Sequence, residues 1–350
     1  MALLFADSFD HYETVDLSRK YSTIGASQSI AANGRCSTNA LVVDVDPTFN
    51  GVVKGCAPTA NTQAIWGFAV KFTEAATQGN FCSVMSGASN VMSFRRTSTG
   101  SIEYSINDAA AFSTWTSCTG GDVIRVGQWY FIEFKIVLAT TAAGSIQIRV
   151  NSGDVTSSGF SSGVTTASYA STWDGVKLGG AGFGGIIYYD DFYMSDTSGA
   201  SPWNGLLGDI RVEYLQPTSN GIVQEWDNTG GAAAWNSVDD GSAPDDDTTY
   251  ISTAVANEIA TFNYENSSLP TGATVFGVQV SFLAKKDEPG DRAIAPVVRE
   301  ASVNYLGSNT YISDESYDYR HVMMQTNPAD AAAWAIADVN TNEIGVKVVI

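Results

Sequence analysis

Apolar and polar residues alternate along much of this chain with a period of two, the pattern of β-strands that have one face in a core. The stretch from Gln128 to Leu138 shows it most clearly, with Ile132 and Phe134 on one face and Glu133 and Lys135 on the other. The same alternation occurs at Trp66 to Phe72, Ser145 to Asn151 and Ile186 to Met194. Turn-forming Gly, Ser, Thr and Asn residues separate these short segments, so the pattern predicts a β-sandwich.

Residues 195–208 interrupt this pattern. Their sequence, SDTSGASPWNGLLG, is rich in Ser, Gly and Pro and is typical of a linker or a domain boundary. Predicted strands then resume at Asp209 to Leu215, Glu258 to Tyr264, Thr274 to Lys285, Ile294 to Arg299, Tyr319 to Met324 and Glu343 to Ile350. One short helix is predicted over residues 327–339, where Asn327 could cap the first turn and Pro328 suits the first helical position.

The length of 350 residues exceeds what one sandwich domain of about 100–200 residues needs, so we expect two domains. With 44% hydrophobic residues, the chain can fill two cores. We therefore predict an all-β fold of two tandem β-sandwiches. The predicted division is an N-terminal sandwich at residues 1–197, a linker at 198–208 and a smaller C-terminal β-sandwich at 209–350.

The formal net charge is −19, and it is unevenly distributed. Residues 1–197 carry 16 acidic and 11 basic side chains, whereas residues 198–350 carry 21 and 7. Such a chain repels nucleic-acid phosphates and anionic lipids, so we expect neither nucleic acid nor a membrane as a partner. The simplest interpretation of the charge is that it keeps the protein soluble.

The N-terminal sequence MALLFADSFDHYE does not match a secretory signal. Its apolar run is too short, and basic residues do not precede it. No stretch approaches the roughly 18 apolar residues of a transmembrane helix. We therefore expect synthesis in a cytoplasm without a signal peptide.

Four segments in a fixed order resemble laminin-G-like, concanavalin-A-like jelly rolls. They are GQWYFIEFKI, SIQIRVNSGDV, VKLGG and YYDDFYMSD, and the positions that carry the likeness are Gly127, Trp129, Asn151, Gly179, Gly180, Asp190 and Asp191. The resemblance covers about residues 3–197 and implies that the first sandwich is a jelly roll. The second half is similar to a β-sandwich module that accompanies such jelly rolls in virion proteins of tailed bacteriophages.

Glycoside hydrolases occur among concanavalin-like folds, and retaining ones need two carboxyl groups about 5–5.5 Å apart. The glutamates of the first domain are Glu13, Glu74, Glu103 and Glu133, and no candidate strand carries two of them. Asp190 and Asp191 are adjacent, so a regular strand would direct them to opposite faces. We therefore predict that the protein is not an enzyme and name no catalytic residue.

Histidine and cysteine chemistry has little support in the sequence. The two histidines are His11 and His321, no GxSxG motif accompanies them, and we expect both to be structural. The cysteines, Cys36, Cys56, Cys82 and Cys118, form no CxxC pair, so a zinc site is not predicted. Free buried thiols are expected, and the alternative is a disulfide, which a core of this size does not need.

Calcium is the one cofactor for which candidate ligands exist, since it binds clustered oxygen ligands and laminin-G-like domains often carry it. In the first domain the candidates are Asp190 or Asp191 with Asp7 or Asp10. In the second they are Asp239, Asp240, Asp245, Asp246 and Asp247. The alternative for the Asp190–Asp191 pair is that it accepts hydrogen bonds from turn backbone near the chain entry, and the alternative for the second group is a solvated acidic loop.

Sugar binding would use an exposed aromatic ring. Candidates in turn-like sequence are Trp173, Trp203, Trp226 and Trp235, and the alternative for each is a packed core side chain.

The resemblance leads us to expect a non-enzymatic virion protein of a tailed phage that decorates or cements the capsid or forms part of the neck or tail. Its expected partners are other virion proteins and further copies of itself, with a trimer suiting capsid or fibre sites. The alternative is a lectin-like receptor-recognition protein of a tail fibre, which binds a host-surface glycan. A bacterial surface adhesin is a third interpretation.

Overall fold

A computed structural model describes most of the chain. The described residues are 3–36, 38–44, 50–56, 61–74, 79–106, 114–118, 124–155, 161–168, 170–180 and 185–350. The chain divides into two compact units, Met1–Val212 and Glu213–Ile350. Both are built almost entirely of β-strands, which confirms the predicted all-β fold.

The first unit contains sixteen described strands and one short α-helix. In chain order the strands are β1 (Leu3–Asp7), β2 (Thr23–Ile24), β3 (Gln28–Ala32), β4 (Asn39–Asp44), β5 (Asn50–Gly55), β6 (Gln63–Phe72), β7 (Gly79–Ser86), β8 (Ser89–Arg96), β9 (Ile102–Ile106), β10 (Thr116–Ser117), β11 (Trp129–Val137), β12 (Gly144–Val150), β13 (Gly153–Asp154), β14 (Ser161–Val164), β15 (Gly175–Gly180) and β16 (Ile186–Ser195). A 3₁₀ turn at Thr14–Asp16 and helix α1 (Leu17–Lys20) follow β1.

These strands form two antiparallel sheets. The first sheet has the order β13-β12-β11-β6-β16-β4-β3, with β1 beside β16 and β14 beside β12. The second sheet has the order β10-β9-β8-β7-β15-β5-β2. In both sheets the central pairs, such as β6 with β16 and β15 with β5, join strands distant in sequence, so the two sheets are interwoven as in a jelly roll.

Large aromatic side chains from both sheets fill the space between them. Trp66 of β6 stacks on Phe134 of β11 with ring centroids 4.8 Å apart, and Phe94 of β8 lies 4.6 Å from Phe134. Phe72 meets Phe81 of β7 edge to face at 5.6 Å. Because side chains alternate along a strand, the residues between these aromatics point away from the core.

The second unit is smaller. Its strands are β17 (Pro217–Gln224), β18 (Asp227–Thr229), β19 (Tyr250–Ser252), β20 (Ile259–Tyr264), β21 (Val278–Ala284), β22 (Arg292–Glu300), β23 (Val303–Leu306), β24 (Thr310–Ile312), β25 (Asp318–Met324) and β26 (Glu343–Val348). Its main sheet has the order β17-β20-β26-β22-β23 with β24 beside β22, and β18 pairs with β19 and β21 with β25. A 3₁₀ turn at Ala234–Ser237 and helix α2 (Ile336–Thr341) complete it.

The helix predicted over residues 327–339 was placed too early, since α2 begins only at Ile336. Asn327 does cap backbone, but its side chain accepts the N–H of Ala329 within a tight turn rather than starting a helix. Ala331 in that turn has a φ of 61°, a left-handed conformation that breaks helical geometry.

Residues 203–212, which we call the strap, lie against the outward face of the first sheet. The Ser195 hydroxyl donates to the carbonyl of Trp203 over 2.6 Å, and the Lys135 ammonium donates to that of Asn204 over 3.2 Å. The predicted strand at 209–215 is therefore absent, because the N–H groups of Asp209 and Val212 donate to side-chain oxygens. The boundary between the units falls at Val212, beyond the predicted linker at 198–208.

Gly67 of β6 lies beneath the strap where a side chain would not fit. A Cβ there would stand 2.5 Å from Cε1 of Tyr193 and 3.0 Å from Cγ of Glu133. We expect Gly67→Ala to lower the free energy of unfolding by about 1–3 kcal/mol, because neighbouring side chains must leave their rotamers. Urea unfolding measures this. Gly55→Ala is the control, since among the described residues its Cβ would meet only Ser22, at 3.5 Å, and the substitution should cost little. Equal costs for both substitutions would contradict the prediction.

Two further sequence expectations concern membrane-spanning helices and the cysteines. Among the described residues, no helix combines the length and apolar character that crossing a membrane requires. All four cysteines are free; Cys82 and Cys118 are buried as predicted, whereas Cys36 is exposed.

Candidate functional site

Three side chains meet on the outward face of the first sheet, beyond the strap. Register pairs Trp129 of β11 with Lys71 of β6, and Lys71 with Tyr188 of β16. All three have the parity that points away from the core, and all three are partly exposed. We call Trp129, Lys71 and Tyr188 the platform.

The lysine of the platform lies between its two rings. The Lys71 ammonium is 4.9 Å from the ring centre of Trp129 and 4.5 Å from that of Tyr188, within the range of cation–π attraction. The two rings are 6.5 Å apart and inclined at 63°. Within the described part of the chain, Lys71 makes no hydrogen bond or ion pair. The platform therefore presents aromatic surface and a positive charge that pairs with no carboxylate of the described residues.

The strap closes the neighbouring part of the same face. Phe131 and Tyr193 stack there with ring centroids 6.4 Å apart. The Tyr193 hydroxyl and the backbone N–H of Gly208 both donate to Oε1 of Glu133, over 2.7 and 2.9 Å. Burial raises the pKa of Glu133. Its Oε2 has no hydrogen-bond partner among the described residues, so this carboxyl group is enclosed rather than presented to a ligand.

Asp190 and Asp191 of β16 hold the strap and the loop before β4. Oδ2 of Asp190 accepts the backbone N–H of Arg35 over 2.7 Å, and Oδ1 of Asp191 accepts that of Val212 over 2.7 Å. Burial and the adjacent Asp191 charge raise the pKa of Asp190 to about 7. Burial likewise raises the pKa of Asp191 to about 6, although Val212 and Arg35 oppose it. The two carboxyl groups thus hold separate chain segments by accepting backbone hydrogen bonds, which was the alternative to a calcium site in the sequence analysis.

The calcium candidates of the first unit do not converge on one point. Asp7 accepts hydrogen bonds from Lys20 and two tyrosines, and Asp10 accepts the backbone N–H of Asn39. Among the described residues, no group of three or more His, Cys, Asp or Glu side chains could hold a metal ion. Calcium stays a prediction from the sequence.

In the acidic loop of the second unit, calcium candidates accept hydrogen bonds or ion pairs from other residues of the chain. Asp245 accepts the backbone N–H of Thr249 over 2.9 Å, and Asp247 pairs with Lys285 over 2.6 Å. These contacts fold the loop onto its neighbours.

The other residues that the sequence suggested for catalysis or sugar binding are buried, packed against a core or part of the strap. Burial lowers the pKa of His11 to about 3, and its Nε2 lies 2.7 Å from the Lys20 ammonium. Trp173 is buried and donates its indole N–H to the Gln63 carbonyl. The other tryptophans considered for sugar binding are Trp226 and Trp235, which pack against the core of the second unit, and Trp203, which belongs to the strap.

Sequence reasoning missed the platform, although a signal for it was present. Trp129 has the same parity as Glu133 and Lys135, the polar face of the predicted strand. A large aromatic residue on that parity is a candidate for an exposed contact surface. Its neighbours Lys71 and Tyr188 could not be found this way, because the sequence of one strand does not determine its register with the next.

A second polar group lies on the other sheet. Lys177, Ser83, Ser93 and Ser105 are register partners across β15, β7, β8 and β9, and all are buried. Burial lowers the pKa of Lys177 to about 8. Because these side chains are enclosed and those of the platform are partly exposed, the platform is the better candidate for ligand contact.

No protein-family model and no curated protein matches the sequence. Solved structures do match in fold. An endo-β-1,4-glucuronan lyase from the fungus Trichoderma reesei is 12% identical with a TM-score of 0.39, over 55% of this chain and 94% of that one. Alginate lyase Aly36B is 13% identical with a TM-score of 0.36, over 55% and 96%. The galectin LEC-6 from Caenorhabditis elegans is 13% identical with a TM-score of 0.31, over 42% and 91%.

Two of these three proteins are lyases, so a fold of this kind gives no ground for excluding an enzyme, and the prediction that the chain is not one is wrong as it was argued. The sequence argument tested only for the paired carboxyl groups of a retaining hydrolase and for a Ser-His-Asp triad. Elimination needs one general base and one general acid, roles that Tyr, Lys and His side chains can fill. At 12–13% identity the likeness concerns the fold alone, and no residue role is carried over from these proteins.

Proposed function

We propose that this protein binds carbohydrate and that the platform is the surface it uses. The observation that carries the proposal is the side-by-side placement of Trp129, Lys71 and Tyr188 on the part of the sheet face beyond the strap. Three neighbouring strands fix these side chains, so a ligand would meet a pre-organised surface.

The chemistry of the platform suits a sugar. A pyranose ring has an apolar C–H face that packs on an aromatic ring and hydroxyl groups that need polar partners. The platform combines two rings with an ammonium donor. Register continues from Tyr188 through Val42 to Ser29, whose partly exposed position adds a hydroxyl at the edge of the same row.

A glycan array probed with the purified full chain tests the proposal. The expected result is retention of the chain on a defined set of glycans. Each retained glycan is then incubated with the protein in solution and its chain length measured, which separates binding alone from binding with cleavage. A chain that is folded by circular dichroism and binds no glycan on the array would overturn the proposal.

Trp129→Ala is expected to weaken binding to the glycans retained on the array by about tenfold or more, because truncating an aromatic contact at the centre of a binding site commonly costs more than 1 kcal/mol. Isothermal titration measures the loss. Tyr311→Ala is the control, because it removes a ring that is 62% exposed in the second unit. Equal affinities of the Trp129 variant and the control would place the ligand elsewhere.

The biological setting stays a proposal that rests on the sequence resemblance. We propose receptor recognition by a tail-fibre protein of a phage, with a host-surface glycan as ligand. Its partners would be other virion proteins and further copies of the chain in a trimer. Capsid decoration gains no support from the platform. Cryo-EM of purified particles would show density for this chain at the distal tail; absence of the chain from the particles would contradict this setting.

A further inference from the structure

We infer that the platform selects an anionic sugar, one that bears a carboxylate such as a uronic acid, and that Lys71 is the residue that recognises the charge. This inference rests on the proposed carbohydrate binding. It adds the class of ligand, which the aromatic rings alone do not determine.

Lys71 differs in its contacts from eight other basic side chains of the first unit. Ion pairs with carboxylates are made by Arg19, Lys20, Arg35, Arg95 and Arg149. Backbone carbonyls accept hydrogen bonds from Lys54, Arg96 and Lys135. In the described part of the chain, Lys71 has only the faces of two aromatic rings.

The excess of acidic residues in the chain makes the environment of Lys71 unusual. The whole chain has 37 acidic and 18 basic side chains, so carboxylates outnumber cations about twofold. A lysine that contacts no carboxylate among the described residues lies where a ligand could bring one. A partly exposed ammonium against two rings is also only partly hydrated, which strengthens its attraction for an anion at short range.

The aromatic rings and the ammonium can act on one sugar residue together. A uronic acid carries its carboxylate on the carbon outside the pyranose ring, so its C–H face can pack on a ring while the carboxylate reaches a neighbouring cation. Lys71 lies 4.9 Å from the centre of the Trp129 ring, a separation that one monosaccharide can span. A charged hydrogen bond of this kind contributes more than a neutral one.

The net charge of the protein opposes an anionic ligand at long range. Salt screens this repulsion beyond about 8–10 Å at physiological ionic strength, whereas the direct contact with Lys71 is shorter than that. The association rate with an anionic glycan is therefore expected to rise with added salt, and a neutral glycan should show no such change.

The test uses matched pairs of polysaccharides that differ in charge: alginate, polygalacturonate and hyaluronan, each with its methyl-esterified form. Affinity is measured for the full chain and for Lys71→Met, Lys71→Arg and Lys286→Met, with thermal unfolding to confirm folding. Lys286→Met removes one positive charge from the second unit, so it controls for net charge.

We expect the wild-type chain to bind at least one free acid about tenfold or more tightly than its ester. Lys71→Met should lose this difference, Lys71→Arg should keep part of it, and Lys286→Met should keep all of it. Equal binding of acids and esters, or an unchanged preference in Lys71→Met, would overturn the inference while leaving carbohydrate binding intact. Binding to neutral glycans alone on the array would also overturn it. Failure to bind any glycan would instead remove the proposed function.

Discussion

Replacing Asp7 by Asn is expected to lower the free energy of unfolding by about 3–5 kcal/mol, the usual cost of removing one partner from a buried ion pair. Asp7 and the Lys20 ammonium lie 3.0 Å apart, and both side chains are almost completely buried. The hydroxyls of Tyr12 and Tyr21 each donate to Oδ2 of Asp7 over 2.7 Å. The backbone N–H of Phe9 donates to Oδ1 over 3.0 Å. Asn would bring an NH₂ group against these donors and leave the lysine charge buried.

The pKa of Asp7 agrees with this assignment. Burial alone would raise the pKa, but Lys20, His11 and the tyrosine hydroxyls outweigh it and lower the pKa to about 2. A carboxyl group whose pKa is lower in the folded state than in the unfolded state stabilises the folded state at any pH above the ordinary pKa, here 3.8. This contribution is lost as the pH falls through about 2, so it is fully present near neutral pH.

Urea unfolding of Asp7→Asn at pH 7 measures the cost. The double variant Asp7→Asn with Lys20→Met removes both charges and should recover part of the stability, since no buried charge then remains unpaired. Two outcomes would show that the ion pair is not what holds β1 to α1. One is an Asp7→Asn variant whose free energy of unfolding lies within about 1 kcal/mol of the wild type. The other is a double variant that loses more stability than Asp7→Asn and Lys20→Met lose in sum when measured singly.

Asp190→Asn is expected to change the pH dependence of stability by about 2 kcal/mol between pH 5 and pH 7. Its folded pKa of about 7 exceeds the ordinary value of 3.8, so the folded chain binds the proton more tightly than the unfolded chain does. The stabilisation is complete below about pH 4 and is lost as the pH rises through 7. Because Asp190 and Asp191 are adjacent and interact, the pair titrates together.

The readout is the difference in unfolding free energy between wild type and variant across a pH series. The variant keeps one acceptor oxygen and loses one of the two backbone hydrogen bonds that Arg35 and Asp191 donate, a constant cost of about 1–3 kcal/mol at every pH. The pH-dependent part should make the variant relatively more stable at pH 8 than at pH 5. Ile136→Val is the control, because its cost arises from one lost methylene in the core and should not vary with pH. A difference that is constant with pH would contradict the raised pKa.

The strands of the first sheet were predictable from alternation. Phe134 and Glu133 fall on the faces that the sequence assigned to them, because a strand with one buried face must alternate. The strap was not predictable. Its residues 203–212 are rich in small and polar side chains like any linker, and their binding to Glu133, Asp191 and Arg35 depends on side chains far away in sequence.

The buried network around Asp7 was also outside the reach of the sequence. Asp7, Tyr12, Lys20 and Tyr21 are polar or ionisable residues near one end of the chain, and such residues are usually at the surface. Their burial follows from the position of β1 beside β16, a pairing between opposite ends of the first unit. Likewise, Trp129 could be assigned to a face from sequence, but Lys71 and Tyr188 became its neighbours only through strand register.

The most direct test of carbohydrate binding at the platform is a crystal structure of the full chain with an oligosaccharide selected on the glycan array. The account predicts sugar density against Trp129 and Tyr188, with a polar group of the sugar within hydrogen-bond distance of the Lys71 ammonium. Sugar density at another surface of the chain, with the platform empty, would contradict it.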